Sequence, residues 1–154
     1  MKAFAQIVAL YEEIDDTLRL AMEAASGTSA NSTRDRLMQK RLIHEQAYFL
    51  LCWGQLESEI NDACEALIAR RKNNPNWELR RGFDFYEPDD TRLRFERRVA
   101  MVLDRGAGRG GPHAKVLSYY RIRNGIAHGA LASVLVDLRK MIPEFYLIQA
   151  EIRR

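Results

Sequence analysis

Cysteine is scarce in this chain: two of 154 residues, Cys52 and Cys64. Both fall in one stretch of helical periodicity. Twelve residues at about 1.5 Å rise separate them by roughly 18 Å, too far to bridge within that helix. They read as small core residues, and no Cys/His array has the spacing of a zinc site. Long hydrophobic runs are missing as well. The N-terminus, Met1-Lys2-Ala3-Phe4-Ala5-Gln6, has no apolar core, and Glu12 and Glu13 follow soon. The expectation is a cytoplasmic protein without a signal peptide or membrane span. No segment alternates apolar and polar residues as a half-buried strand requires, and no internal repeat occurs. Lysine is rare: five of the 24 basic residues, the other nineteen being arginine. Arginine favours bidentate contact with phosphate, although codon bias explains the same excess. The net charge of +3 permits nucleic-acid binding without requiring it.

What is present points to helices. Hydrophobic residues make up 47% of the chain, which excludes a disordered polymer. The length suits one domain, 1–154, divided into an N-terminal helix with its linker (1–31) and a bundle (32–154). Phe4, Ile7, Val8, Tyr11, Ile14, Leu18 and Met22 recur at three- and four-residue intervals, predicting a helix over 3–24 with its acidic residues on the other side. Turn-forming residues follow over 26–32, with Ser32 or Thr33 suited to cap the next helix. That helix is predicted to run about forty residues to Lys72, where Asn73-Asn74-Pro75-Asn76 stops it. Its length implies a kink near Gly54 or an extension into a subunit contact.

Residues 73–90 read as an irregular loop pinned by Trp77, Phe83, Phe85 and Tyr86. A third helix follows Thr91, with Leu93, Phe95, Val99, Val102 and Leu103 inward and Arg92, Arg94, Arg97 and Arg98 mainly outward. Gly106-Ala107-Gly108-Arg109-Gly110-Gly111 fits Gly-x-Gly-x-x-Gly. It follows a helix rather than a strand, so it reads as a mobile connector and not as a dinucleotide site. A fourth helix is expected over 112–128, closing at Gly129. A fifth, over 131–153, has Val134, Leu135, Leu138, Met141, Phe145, Leu147 and Ile148 as its apolar face, and Pro143 kinks or breaks it. The fold class is therefore all-α, an up-down bundle of about five helices.

The chemistry-bearing stretch is Tyr119-Tyr120-Arg121-Ile122-Arg123-Asn124-Gly125-Ile126-Ala127-His128-Gly129. Arg123 carries a permanent charge that forks onto phosphate oxygens. His128 belongs to the residue type that exchanges protons near neutrality. Asn124 and His128, four apart, share a helix face. Arg123 lies about 140° from His128 around the axis, so only its long side chain brings the charge near the imidazole. The bland reading is a solvated helix end. Of the remaining histidines, His44 beside Glu45 reads as a helix-surface residue and His113 as incidental. No Ser-His-Asp arrangement or phosphate loop competes for a catalytic role.

Arg123-Asn124-Gly125-Ile126-Ala127-His128 resembles the Arg-x4-6-His signature of the HEPN superfamily, often written Arg-Asn-x-x-Ala-His. The upstream helix, with Leu56-Glu57-Ser58-Glu59-Ile60-Asn61 after an apolar run, is similar too, and the likeness extends from about Arg34 to the end. It implies an all-helical, HEPN-like homodimer that cleaves RNA without a metal or other cofactor, acting as a toxin or defence effector. Arg123 and His128 match the catalytic positions, and Asn124 fills the polar position after the Arg. Glu57 and Asn61 are candidates to orient Arg123 or His128; a solvated polar face is the other reading. Arg121 and Tyr120 are candidate RNA contacts, although packing also explains Tyr119 and Tyr120. A toxin branch carries a Tyr two residues beyond the His that a partner modifies. Ala130 stands there, which argues against that route while leaving a different antitoxin protein open. Noncatalytic members that bind RNA or assemble with a partner supply the alternative expectation.

Overall fold

The computed structural model describes residues 3–25, 30–86, 93–129 and 135–154. The linker residues 26–29, the loop residues 87–92 with the expected helix start at Thr91, and residues 130–134 with Ala130 and Val134 lie outside them. Among the described residues the chain is all-α. Its helices are α1 (Phe4–Ala24), α2 (Ala30–Lys72), α3 (Trp77–Arg80), α4 (Phe95–Val102), α5 (Pro112–Ala127) and α6 (Leu138–Ile152), with a 3-10 turn at Arg105–Ala107. The fold divides into two compact units, residues 1–55 with 121–144, and residues 56–120 with 145–154.

In the first unit, α1 buries Phe4, Val8, Tyr11 and Asp15, a stripe at i, i+4, i+7 and i+11. Ile14, expected on this face, is exposed instead. The N-terminal end of α1 has no side-chain cap of its own; the Ala3 N–H donates to Gln55 Oε1 at 3.1 Å. α2 is a single helix of 43 residues that passes through Gly54 without interruption. It starts at Ala30, so Ser32 and Thr33 sit inside its first turn rather than capping it. Phe49, Cys52, Trp53, Leu56, Ile60, Cys64 and Ile68 mark its buried face.

In the second unit, Cys64, Ile68 and Leu93 form a cluster against which Phe83, Tyr86 and Met101 pack. Lys72 Nζ donates to the Tyr86 carbonyl at 2.9 Å and fastens the loop. Only half of the expected pinning is observed, because Trp77 and Phe85 are exposed. Arg81 lies over the Trp77 ring, 5.2 Å from its centroid. Asn76 accepts the Glu78 N–H at 2.9 Å and starts the short α3 inside this loop.

α6 begins at Leu138, seven residues later than the periodicity suggests. Its start is fixed by Asp137, which accepts the Lys140 N–H, and by Glu45 of α2, whose Oε2 accepts the Leu138 N–H at 2.8 Å. Pro143 stands inside α6 without ending it. The burial of Leu138, Ile142, Phe145 and Ile148 to either side offsets the one backbone hydrogen bond that proline cannot make. Leu135 and Leu147, expected inward, are exposed.

Candidate functional site

α5 delivers the motif. Arg123 and Asn124 are half-buried in its last turn, and His128, one residue past its end, is exposed. The His128 N–H donates to the Asn124 carbonyl at 3.0 Å, so the helical pattern reaches the imidazole-bearing residue. Gly129 then takes φ +86°, with its N–H on the Ile126 carbonyl at 3.0 Å. A Cβ at Gly129 would meet nothing within 4 Å. Glycine therefore suits the left-handed helix terminus there. Ile126, 5% exposed, anchors the turn.

Arg123 Nη1 donates to Asn124 Oδ1 at 3.0 Å. That bond uses one of the five guanidinium N–H groups and steers the fork, leaving donors for an anion. His128 and Arg123 line neither the cavity of about 620 Å³ bounded by Met22, Met38, Arg41 and Leu42 nor that of about 430 Å³ at Arg70, Met101 and Arg153. Within the motif only His128 is exposed, while Arg123 and Asn124 are half-buried. Arg121 is exposed. Tyr120 lies against Phe95, centroids 4.8 Å apart, and Tyr119 is buried and stacked on Phe145 at 5.3 Å. Both tyrosines pack.

Glu57 and Asn61 belong to the second unit, whereas Arg123 and His128 belong to the first. Asn61 Oδ1 accepts from Arg98 Nη1 at 3.3 Å, and Arg98 Nε donates to the Leu93 carbonyl at 3.1 Å. Arg98, expected outward, is thus an internal tie between α2 and the start of α4, its side chain 13% exposed.

The first unit also holds a charged cluster that no sequence motif marks. Asp15 is fully buried. It accepts Arg41 Nε at 2.6 Å and Arg139 Nε at 2.8 Å. Arg139 also bonds Asp16, and Arg41 Nη2 reaches Glu45 Oε1 at 3.4 Å. Burial alone would raise the Asp15 pKa. The two guanidinium hydrogen bonds outweigh it and hold the carboxyl below its ordinary value. Burial first, then the Glu45 and Asp15 charges, push the Tyr11 phenol up and keep it neutral. His44 is not a surface residue: its ring stacks on Tyr11 at 5.2 Å, and Nε2 donates to the Tyr11 carbonyl at 3.2 Å. One signal for this cluster was available, since Asp15 occupies the register of the apolar stripe Phe4–Val8–Tyr11.

Among the described residues no group of three or more His, Cys, Asp or Glu side chains could hold a metal ion, and no helix is long and apolar enough to cross a membrane. No protein-family model, curated protein or solved structure matches the chain.

Proposed function

We propose that the chain is a metal-independent RNA endonuclease of HEPN type, with Arg123 and His128 of two copies forming one composite site. The observation that carries this reading is the end of α5, where a steered guanidinium and an exposed imidazole share one helix terminus. The reaction needs one group to take the proton of the ribose 2′-OH and another to give a proton to the departing 5′ oxygen. The 2′-O–P bond forms as the P–O5′ bond breaks, leaving a 2′,3′-cyclic phosphate and a 5′-OH. Each copy offers one imidazole at the motif, so a pair of copies supplies both groups. Arg123 then neutralises charge on the phosphorane-like transition state. The exposed imidazole of His128 is open to approach by a second copy. A role as toxin or defence effector, held in check by an antitoxin protein, belongs to this reading.

The test is cleavage of unmodified RNA by wild type, Arg123→Ala and His128→Ala, with end-group analysis. Losing one preorganised group costs roughly 10²–10³ in rate. Cyclic-phosphate ends from wild type, and losses of that size in both variants, support the proposal. Wild-type rates in the variants refute it. An RNA-binding wild type that cleaves nothing identifies a noncatalytic module instead.

A further inference from the structure

The net charge of the whole chain is +3, yet Leu93 to Lys115 alone holds six Lys/Arg against two Asp/Glu. The positive charge is therefore concentrated in one stretch of the second unit. One of the two acids there is engaged: Asp104 Oδ1 accepts the Gly106 N–H at 2.7 Å and caps the 3-10 turn. That turn presents Arg105. Gly108, at φ +79°, returns the chain, and the Gly111 N–H closes onto the Gly108 carbonyl at 3.1 Å. A Cβ on Gly111 would lie 2.7 Å from Ala107 Cβ. The glycine-rich connector is thus a compact turn that folds back onto the start of α5.

Between this turn, α4 and α5 lies a cavity of about 210 Å³, lined by Glu96, Arg97, Ala100, Arg105, His113 and Leu117. It is smaller than the roughly 300–1,000 Å³ of sites for whole organic ligands, so it suits one small group. Its apolar wall is Ala100 and Leu117; its polar rim is Arg97, Arg105 and His113 with the Glu96 carboxylate, so two fixed cations outnumber one anion. Arg94, Arg97, Arg105 and Arg109 are exposed, and none forms an ion pair with another described residue. Burial, and then the Arg105 charge, lower the His113 pKa, with Asp104 opposing. His113 is therefore a neutral hydrogen-bonding group beside two fixed cations.

We infer that the Arg97–Arg105–His113 cavity binds a backbone phosphate of single-stranded RNA, a contact separate from the Arg123/His128 motif. The inference rests on RNA being the substrate but not on cleavage. Two forked cations and a neutral imidazole around a one-group hollow match a phosphodiester. Base contacts need stacking surfaces, and none of the six lining residues is a Phe, Tyr or Trp. The site therefore positions the strand without reading its sequence.

The test uses a labelled 2′-O-methyl RNA of about twelve nucleotides, which cannot undergo 2′-OH attack, so binding is read whether or not the wild type cleaves. Fluorescence anisotropy across a salt series compares wild type with Arg97→Ser/Arg105→Ser. Each phosphate contact on a single strand contributes about 0.7 to the slope of log K against log salt. The double variant should lose about 0.7 from that slope, the share of one phosphate, and bind roughly 5-fold weaker near 0.1 M salt. Arg97→Lys/Arg105→Lys should recover most of the slope, which a merely unfolded variant would not do. Unchanged slope and affinity in the serine variant, or no binding by wild type, overturn the assignment. So does titration with inorganic phosphate alone that saturates the site and blocks the strand at equal ionic strength, because the ligand would then be free phosphate.

Discussion

Replacing Asp15 with Asn keeps the side-chain shape and removes the charge that holds Arg41 and Arg139 together. Removing one partner of a buried ion pair costs about 3–5 kcal/mol, because the remaining charge is stranded. Here the stranded groups retain some help. The Arg41 and Arg139 side chains are 35% and 37% exposed, and they keep Glu45 and Asp16 as neighbours. Water and those carboxylates recover part of the loss, so the expected cost is about 2–3 kcal/mol. A chain of this length shifts by roughly 2–4 °C per kcal/mol, giving a Tm lowered by about 4–12 °C. Thermal unfolding followed by circular dichroism at pH 7 measures it. The pH dependence has a definite sign. The folded Asp15 pKa lies below its ordinary value, so as pH falls the unfolded chain takes up the proton first. The advantage of wild type over Asp15→Asn should be constant between about pH 5 and 8 and shrink below about pH 4. A variant within about 1 °C of wild type at pH 7, or a gap that widens in acid, refutes the reasoning.

Two glycines should respond in opposite directions to alanine. Gly54→Ala, mid-helix with open space at its Cβ, should stabilise by about 0.5–1 kcal/mol, whereas Gly129→Ala at φ +86° should destabilise by about 1–2 kcal/mol; denaturant midpoints decide. Burial pushes the Cys52 thiol up to about 12 and raises Cys64, so a thiol reagent at pH 8 should label neither until the chain unfolds. RNA cleavage should persist in excess chelator, since the proposed chemistry assigns charge stabilisation to Arg123; activity restored only by magnesium would end that mechanism.

The long helix was legible because two independent signals agreed: apolar residues recurring at helical spacing from Leu37 to Ile68, of which Ile43 is exposed in the fold, and the Asn73-Asn74-Pro75 stop at Lys72. The end of α5 was legible for the same reason, with Gly129 terminating what the periodicity began. The Asp15 cluster was not read. A carboxylate among Glu12, Glu13 and Asp16 looks like part of a solvated face, and its partners lie 26 and 124 positions away. The start of α6 was misplaced because apolar periodicity continues back through Leu135, while the caps that set the boundary come from Asp137 and from Glu45, 93 positions earlier. Arg98 was assigned outward because one helix face holds several arginines, and only the tertiary fold decides which of them turns in.

The 124-residue separation of Asp15 and Arg139 has a consequence for the order in which this chain comes into being. On the ribosome Arg41 follows Asp15 within a few seconds, but at about 5–20 residues per second Arg139 arrives only some 6–25 seconds later. The first unit also needs residues 121–144, which are made after most of the second. During that interval the carboxylate has one guanidinium instead of two, and α1 and α2 wait without the helix whose first turn Glu45 caps. A nascent chain stalled before residue 138 therefore carries an unfinished ion cluster.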